Sequence, residues 1–266
     1  MNDQSNFPGG ASETRPSWHP GQWWREIRIA VGFFTRLPFA RPPAGRIAEA
    51  ARAFPVAGAI VGLIGSGIYL LGIEVGLSAL LAALLALAAT VVVGGALHED
   101  GLADFADMLG VRGDRERKLA VMRDSRIGSY GVLALGFSTA IKVAALVGLG
   151  EPGAVAAAFV TAHVCGRAVL PMLMRSLPLA RTGGLAVDAG KPSAPATYQS
   201  LGIALLISAV VSGPGSALVC IVVAIVAAFL VSEIARRQIG GYTGDVLGAA
   251  QEIAQLAVLI NIVSLA

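Results

Sequence analysis

The chain has 266 residues, 55% hydrophobic and only 14% charged, with 33 glycines, 6% aromatics, two cysteines and a formal net charge of +3. A soluble domain carries about a quarter charged residues, so an ordinary soluble enzyme is excluded, and no nucleic-acid partner is expected. The dominance of Ala, Leu, Val and Gly suits closely packed transmembrane helices rather than the alternating strands of a membrane barrel; the expected class is an all-α, polytopic membrane bundle.

Residues 1–20 are polar, contain Gly and Pro, and lack the basic and apolar regions of a signal peptide. Residues 1–21 therefore read as a disordered cytoplasmic tail, and 22–266 as one membrane-embedded catalytic domain. The segment 22–40 is too charged to span. Its Trp23, Trp24, Phe33 and Phe34, interleaved with Arg25, Arg28 and Arg36, predict an interfacial helix that anchors the chain, ended by Pro42-Pro43. Seven apolar runs follow, at about 57–76, 78–97, 130–149, 154–174, 199–212, 216–234 and 246–266, each compared with the roughly 20 residues that a crossing needs. The fifth is short at its start. Cys165 and Cys220 both lie in apolar runs and read as buried small hydrophobes.

Basic residues alternate strictly between loops. Seven arginines precede the first run, six Arg or Lys lie in 98–129, and Arg175, Arg181, Lys191, Arg236 and Arg237 follow the fourth and sixth runs. The intervening loops have none. The positive-inside rule then places the amino terminus, the loop after residue 97, the 175–198 loop and the GGYTGD turn in the cytoplasm, with the carboxyl terminus outside.

HEDGLADFADMLG, 98–110, puts three Asp, one Glu and one His at the mouth of a hydrophobic run. At 100° per residue, Asp100, Asp104 and Asp107 fall within about 60° of one another on a helix. Like charges so placed call for a cation, and hard carboxylate oxygens favour Mg²⁺, Mn²⁺ or Ca²⁺. A second acidic pair, Asp245 and Glu252, is seven residues apart and so shares one face of the last helix. Glu252 lies inside an apolar run, where an ionisable group is expensive; either a structural partner such as Arg167 or a site facing the HEDGLAD helix accounts for it. Arg123, Ser125, Arg126 and Ser129 surround a helix-to-loop transition suited to phosphate oxygens. Arg115, Arg117 and Lys118 read as topology signals. Lys142 lies mid-run in the third span, and His163 and Arg167 are i, i+4 in the fourth. Carboxylates from two distant segments with basic groups between them have the composition of a metal-dependent phosphoryl-transfer site. No Walker A motif and no Ser-His-Asp constellation is present.

FFTRLP (33–38), RAFPVAGAIVG (52–62), HEDGLADFAD (98–107), MRDSRIGSYG (122–131) and GGYTGDVLGA (240–249) together resemble the cobalamin synthase family, the adenosylcobinamide-GDP ribazoletransferases, from about residue 30 to the end. The resemblance implies a polytopic enzyme of the bacterial cytoplasmic (inner) membrane. It would join adenosylcobinamide-GDP to α-ribazole or its 5′-phosphate and release GMP, in the last stages of vitamin B12 assembly, with Mg²⁺. On that reading Asp100, Asp104, Asp107 and Asp245 hold one or two Mg²⁺, Mn²⁺ being an alternative. Glu252 completes the shell or acts as base, and Arg123, Ser125, Arg126, Lys142 and Arg167 bind the diphosphate. His98 is a further candidate for proton transfer, ranked low because a continuous helix turns it from the Asp face. Met108 stands where the family often has Gly, and Gln255 where it often has a second acidic residue. Two rivals fit less well. A CDP-alcohol lipid phosphotransferase needs a D-x-x-D-G-x-x-A-R pattern that is not met. A transporter needs polar groups reaching the outer face, and the outer loops have almost none. Membrane lipid is an expected neighbour. The Gly58, Gly62, Gly65 stripe suits helix packing within one chain or in a homo-oligomer.

Overall fold

In a computed structural model, residues 19–38 and 45–266 are described; most of the 1–21 segment and the Pro42-Pro43 break lie outside them. Twelve α-helices and a 3₁₀ segment account for these residues, and no strand occurs among them. The chain is thus an all-α polytopic membrane protein. α1 (Pro20–Phe34) leads to the 3₁₀ segment Ile47–Ala53, which runs into α2 (Phe54–Glu74). Then come α3 (Ala79–Gly94), α4 (Leu97–Gly110), the short α5 (Arg115–Val121) and α6 (Ser129–Gly148). α7 (Pro152–Ala168) and α8 (Leu170–Ser176) form one near-continuous rod, followed by the five-residue α9 (Leu185–Ala189). α10 (Ala194–Ser212), α11 (Pro214–Ile239) and α12 (Gly244–Ser264) complete the bundle. Six units are long and apolar enough to cross a membrane singly, and the α3–α4 pair, bent by 91°, meets the same length and composition only when taken together. Six of the seven predicted runs appear as single helices able to span, and the run at 78–97 appears as α3, the first half of the bent pair. The fifth begins earlier than expected, at Ala194, because Ser193 caps the helix and Pro195 opens its first turn.

α7 is the centre of the bundle, with α2, α10 and α12 packed around it. Small residues permit the closest of these contacts. A Cβ on Gly58 would strike the His163 carbonyl, and one on Gly62 would stand 2.7 Å from the Val160 Cα. The Gly58–Gly62–Gly65 stripe therefore packs inside one chain. Cys165 and Cys220 are free and buried.

α1 departs from the expected simple anchor. Its inner face, with Ile29, Ala30 and Phe34, is buried in protein. Buried Glu26 meets buried Arg52 at 2.5 Å, and the Arg52 guanidinium lies 4.4 Å from the Trp23 ring centroid. This pair pins α1 to the 3₁₀ segment. The helix stops at Phe34, short of residue 40, as Thr35 turns the backbone extended.

The 91° bend has a local cause. Gly95 (φ +64°) and Ala96 (φ +55°) are consecutively left-handed, and Ala96 alone among the described non-glycine residues has positive φ. Such a residue costs about 1–3 kcal/mol. The strap after α1 holds the turn: the Arg36 N–H donates to the Val93 carbonyl at 2.7 Å, and the Arg36 side chain covers Gly95 where a Cβ would be. Beyond the bend α4 packs against α12 and α6.

Candidate active site at the crossing of two helices

α4 crosses α12 with almost no gap. A Cβ on Gly101 would stand 2.7 Å from the Asp245 carbonyl oxygen and 3.0 Å from the Gly248 Cα. Two glycines at the contact draw Asp100 and Asp104 on one helix toward Asp245 on the first turn of the other. Thr243 caps α12 and its hydroxyl donates to Asp245 Oδ2 at 3.0 Å. Arg181 Nη2 approaches the same oxygen at 3.5 Å.

Asp104 shows what this costs. Partial burial, then the charges of Asp245, Asp100 and Asp107, push its carboxyl up to about 7, against the opposing pull of Arg181. One arginine does not balance these carboxylates. Among the described residues no three His, Cys, Asp or Glu side chains converge tightly enough to enclose a metal. Mg²⁺ does not require that: it keeps several waters and is commonly held by one or two carboxylates together with substrate phosphates. An oxygen-only donor set carrying excess negative charge fits such an ion.

The four expected metal ligands do not share one environment. Asp107 is buried, and both its oxygens are occupied by backbone: Gly128 N–H donates at 2.7 Å and Gly131 N–H at 2.8 Å. It serves as the anion at the start of α6, where helix N–H groups lack intrahelical partners. A Cβ at Gly128 or Gly131 would collide with this carboxylate, which explains both glycines of the IGSYG segment.

Glu252 also departs from the expected metal-shell or base position. It forms a buried ion pair with Lys142, and neither joins the Asp group. Glu99 feels the charges of Glu252, Lys142 and Arg167. Arg167 is buried, bonds His163 Nδ1 at 3.0 Å, and lies 5.7 Å from the Phe34 ring centroid. Lys142 and Arg167 are thus set within the bundle and do not line the acidic crossing. His98 is buried too, its ring stacked on Phe34 at 5.6 Å with Nε2 lacking a hydrogen-bond partner. It is a wall group beside the site.

In the basic segment, Arg126 is spent locally: its Nη2 binds Asp124 at 2.7 Å, and the side chain is 87% exposed. Ser125 is exposed as well. Arg123 alone of the three lines a polar cavity, facing Arg181, Thr182, Gly183 and Gly184. Arg181, read from sequence only as a topology charge, is therefore central, since it touches Asp245 on one side and this cavity on the other. Its loop is held in place by backbone: Ala180 N–H donates to the Tyr242 carbonyl and Tyr242 N–H to Pro178, each at 2.9 Å. Arg115 adds bonds to the Ala180 and Ile239 carbonyls at 2.5 and 2.8 Å, a structural role beyond topology.

Fold and site together define a polytopic helical membrane protein with a carboxylate-and-arginine centre at one end of its bundle. Comparison with known proteins narrows the class: residues 26–263 match the family model described as cobalamin-5-phosphate synthase, and the chain belongs to that family. The adenosylcobinamide-GDP ribazoletransferase of Bradyrhizobium diazoefficiens is 44% identical over 238 residues, covering 88% of this chain and 92% of the relative. Those of Azorhizobium caulinodans (40% over 252 residues; 89% and 94%) and Mesorhizobium japonicum (41% over 250; 91% and 93%) are similarly close. No solved structure matches.

Proposed function

We propose that this chain is an adenosylcobinamide-GDP ribazoletransferase that works at the cytoplasmic face of the inner membrane with Mg²⁺. The observation that carries the reading is the α4–α12 crossing, where Asp100, Asp104 and Asp245 meet Arg181 beside the cavity that Arg123 and Arg181 line. Family membership supports the same activity. The 3′ hydroxyl of α-ribazole, or of its 5′-phosphate, attacks the phosphorus nearest cobinamide. The bond from that phosphorus to the bridging oxygen breaks, and GMP departs with the electron pair. Products are adenosylcobalamin, or its 5′-phosphate, and GMP.

Asp104 is the group assigned to accept the hydroxyl proton, because it lies on the acidic face of α4 beside Asp100 and Asp245 and is only partly buried. Arg181 and Arg123 neutralise the charge that gathers on the departing phosphate. Asp100 and Asp245 would hold Mg²⁺, which when bound supplies charge stabilisation to the diphosphate. Glu252 and Lys142 brace the helices that carry the site. The test is GMP release by purified protein given both substrates, with and without EDTA. Release that needs α-ribazole and stops with EDTA is expected; folded protein that releases no GMP overturns the assignment, and release unaffected by EDTA overturns the metal.

A further inference from the structure

Beside the acidic crossing lies a second cavity of about 210 Å³, between α1, α4, α8, α9 and α12. Phe33, Phe34 and Phe54 form an aromatic wall, and Ala186, Ala189 and Gly248 leave room opposite. Phe34 and Phe54 are themselves locked edge to face at 4.9 Å. Only at one end does the lining become charged, through Asp100, Asp245 and Arg181, which are also groups of the catalytic centre. We propose that this cavity is the subsite for the aromatic base of the acceptor nucleoside, a dimethyl-substituted benzimidazole, with its ribose lying at the charged end. The proposal rests on the transferase reading above and adds where the acceptor sits and what selects it.

Size and polarity decide among the reaction's own parts. A corrin macrocycle cannot enter 210 Å³. Guanine carries amide and amino groups around its rings, and most of the wall is phenylalanine, leucine and alanine, so only His98 Nε2 and the charged end offer them partners and the groups left over are costly to bury. A benzimidazole presents two aromatic faces, two methyls and one free ring nitrogen, so its burial is mostly apolar. The charged end then receives the ribose, whose 3′ hydroxyl must reach Asp104. Arg181 lies between this cavity and the polar one that it lines with Arg123, so acceptor and departing GMP occupy opposite sides of the same arginine.

The experiment is equilibrium dialysis of radiolabelled α-ribazole against the full chain in nanodiscs, with EDTA and no donor, alongside steady-state kinetics. Two variants narrow the cavity: Ala186→Phe from within, and Leu185→Trp from its rim, where Leu185 is 48% exposed and a larger side chain does not burden folding. Both are expected to weaken α-ribazole binding at least about tenfold, and the riboside lacking both methyls to bind wild type about tenfold more weakly, since a single methylene in an apolar pocket counts for that much. The KM for adenosylcobinamide-GDP should not move. Unchanged α-ribazole affinity in the folded Leu185→Trp variant overturns the subsite, as does a rise confined to the donor's KM. Wild type that binds neither substrate and releases no GMP overturns the transferase reading instead.

Discussion

Two groups of carboxylates sit near one helix crossing, and they differ in charge balance and in access to water. On the outer side Asp104 and Asp245 feel one arginine, Arg181; Asp100, Asp245 and Arg181 line one cavity, and Arg181 lines a second with Arg123. On the inner side Glu252 is matched by Lys142, with Arg167 and Glu99 close by, in a setting from which solvent is nearly excluded. The inner group is charge-balanced and braces helices. The outer group keeps an excess of negative charge that only a bound cation or a proton relieves. Helix phase alone does not separate them, because Asp245 and Glu252 share a face of α12. The partner each one meets is what divides site from scaffold.

The largest expected effect breaks the outer group. Asp104→Asn removes the proposed proton acceptor and its ionisable carboxyl while keeping the shape of the side chain. Turnover should fall by more than about a hundredfold, beyond what losing an outer partner of a metal site costs. Membrane insertion and the amount of folded protein should not change. Near-normal GMP release by this variant would remove Asp104 from the chemistry.

The inner group should respond in the opposite way. Lys142→Met or Glu252→Gln alone leaves an uncompensated buried charge or a broken pair, expected to cost about 3–5 kcal/mol. The double variant should recover most of that stability, measured as thermal unfolding in detergent, and keep turnover with an unaltered dependence on Mg²⁺ concentration. A well-folded double variant without activity would move Glu252 back to the metal-shell or base role that its sequence position suggested.

How far the sequence speaks follows the same division. Seven apolar runs and the acidic helix face were legible because hydropathy and a 100° period are local properties. The facing of the two acidic segments was one of two open accounts of Glu252, and Gly101 and Gly248, where α4 and α12 cross, carry it. The fate of Asp107 was not read, although Gly128 and Gly131 were its signal: each is a place where a Cβ would meet that carboxylate. Lys142 and Glu252 are 110 residues apart, and no local pattern pairs them. Arg181 sits in a loop with no motif. Its importance comes from the backbone exchange of Pro178 and Ala180 with Tyr242, a tertiary contact that periodicity cannot show. His98 was set apart from the Asp face by helix phase, and the structure gives the physical reason, its stacking on Phe34.

Asp107 sharpens the comparison further, because it lies on the acidic face yet is satisfied by backbone. Asp107→Asn keeps an acceptor oxygen and replaces the other by an amide that cannot accept from an N–H. One charge-assisted bond is lost, worth about 1.5–3 kcal/mol. The melting temperature should drop while GMP release by the folded fraction persists. Abolished turnover with an unchanged melting temperature would instead make Asp107 a metal ligand.

The smallest effect is one of pH, and its sign separates the two groups cleanly. Burial first, and neighbouring carboxylates second, raise the Asp104 carboxyl to about 7 in the folded chain, against about 3.9 in an unfolded one. The folded state therefore holds this proton more tightly than the unfolded state. Linkage then makes the contribution to stability of the metal-free protein greatest below about pH 4 and lost as pH rises through about 7. Added Mg²⁺ should restore stability at pH 8 more than at pH 6, since cation and proton compete for the same negative charge. In Asp104→Asn the fall in melting temperature between pH 6 and 8 should shrink. An unchanged fall in that variant would locate the titration elsewhere and leave Asp104 with no special claim on the proton.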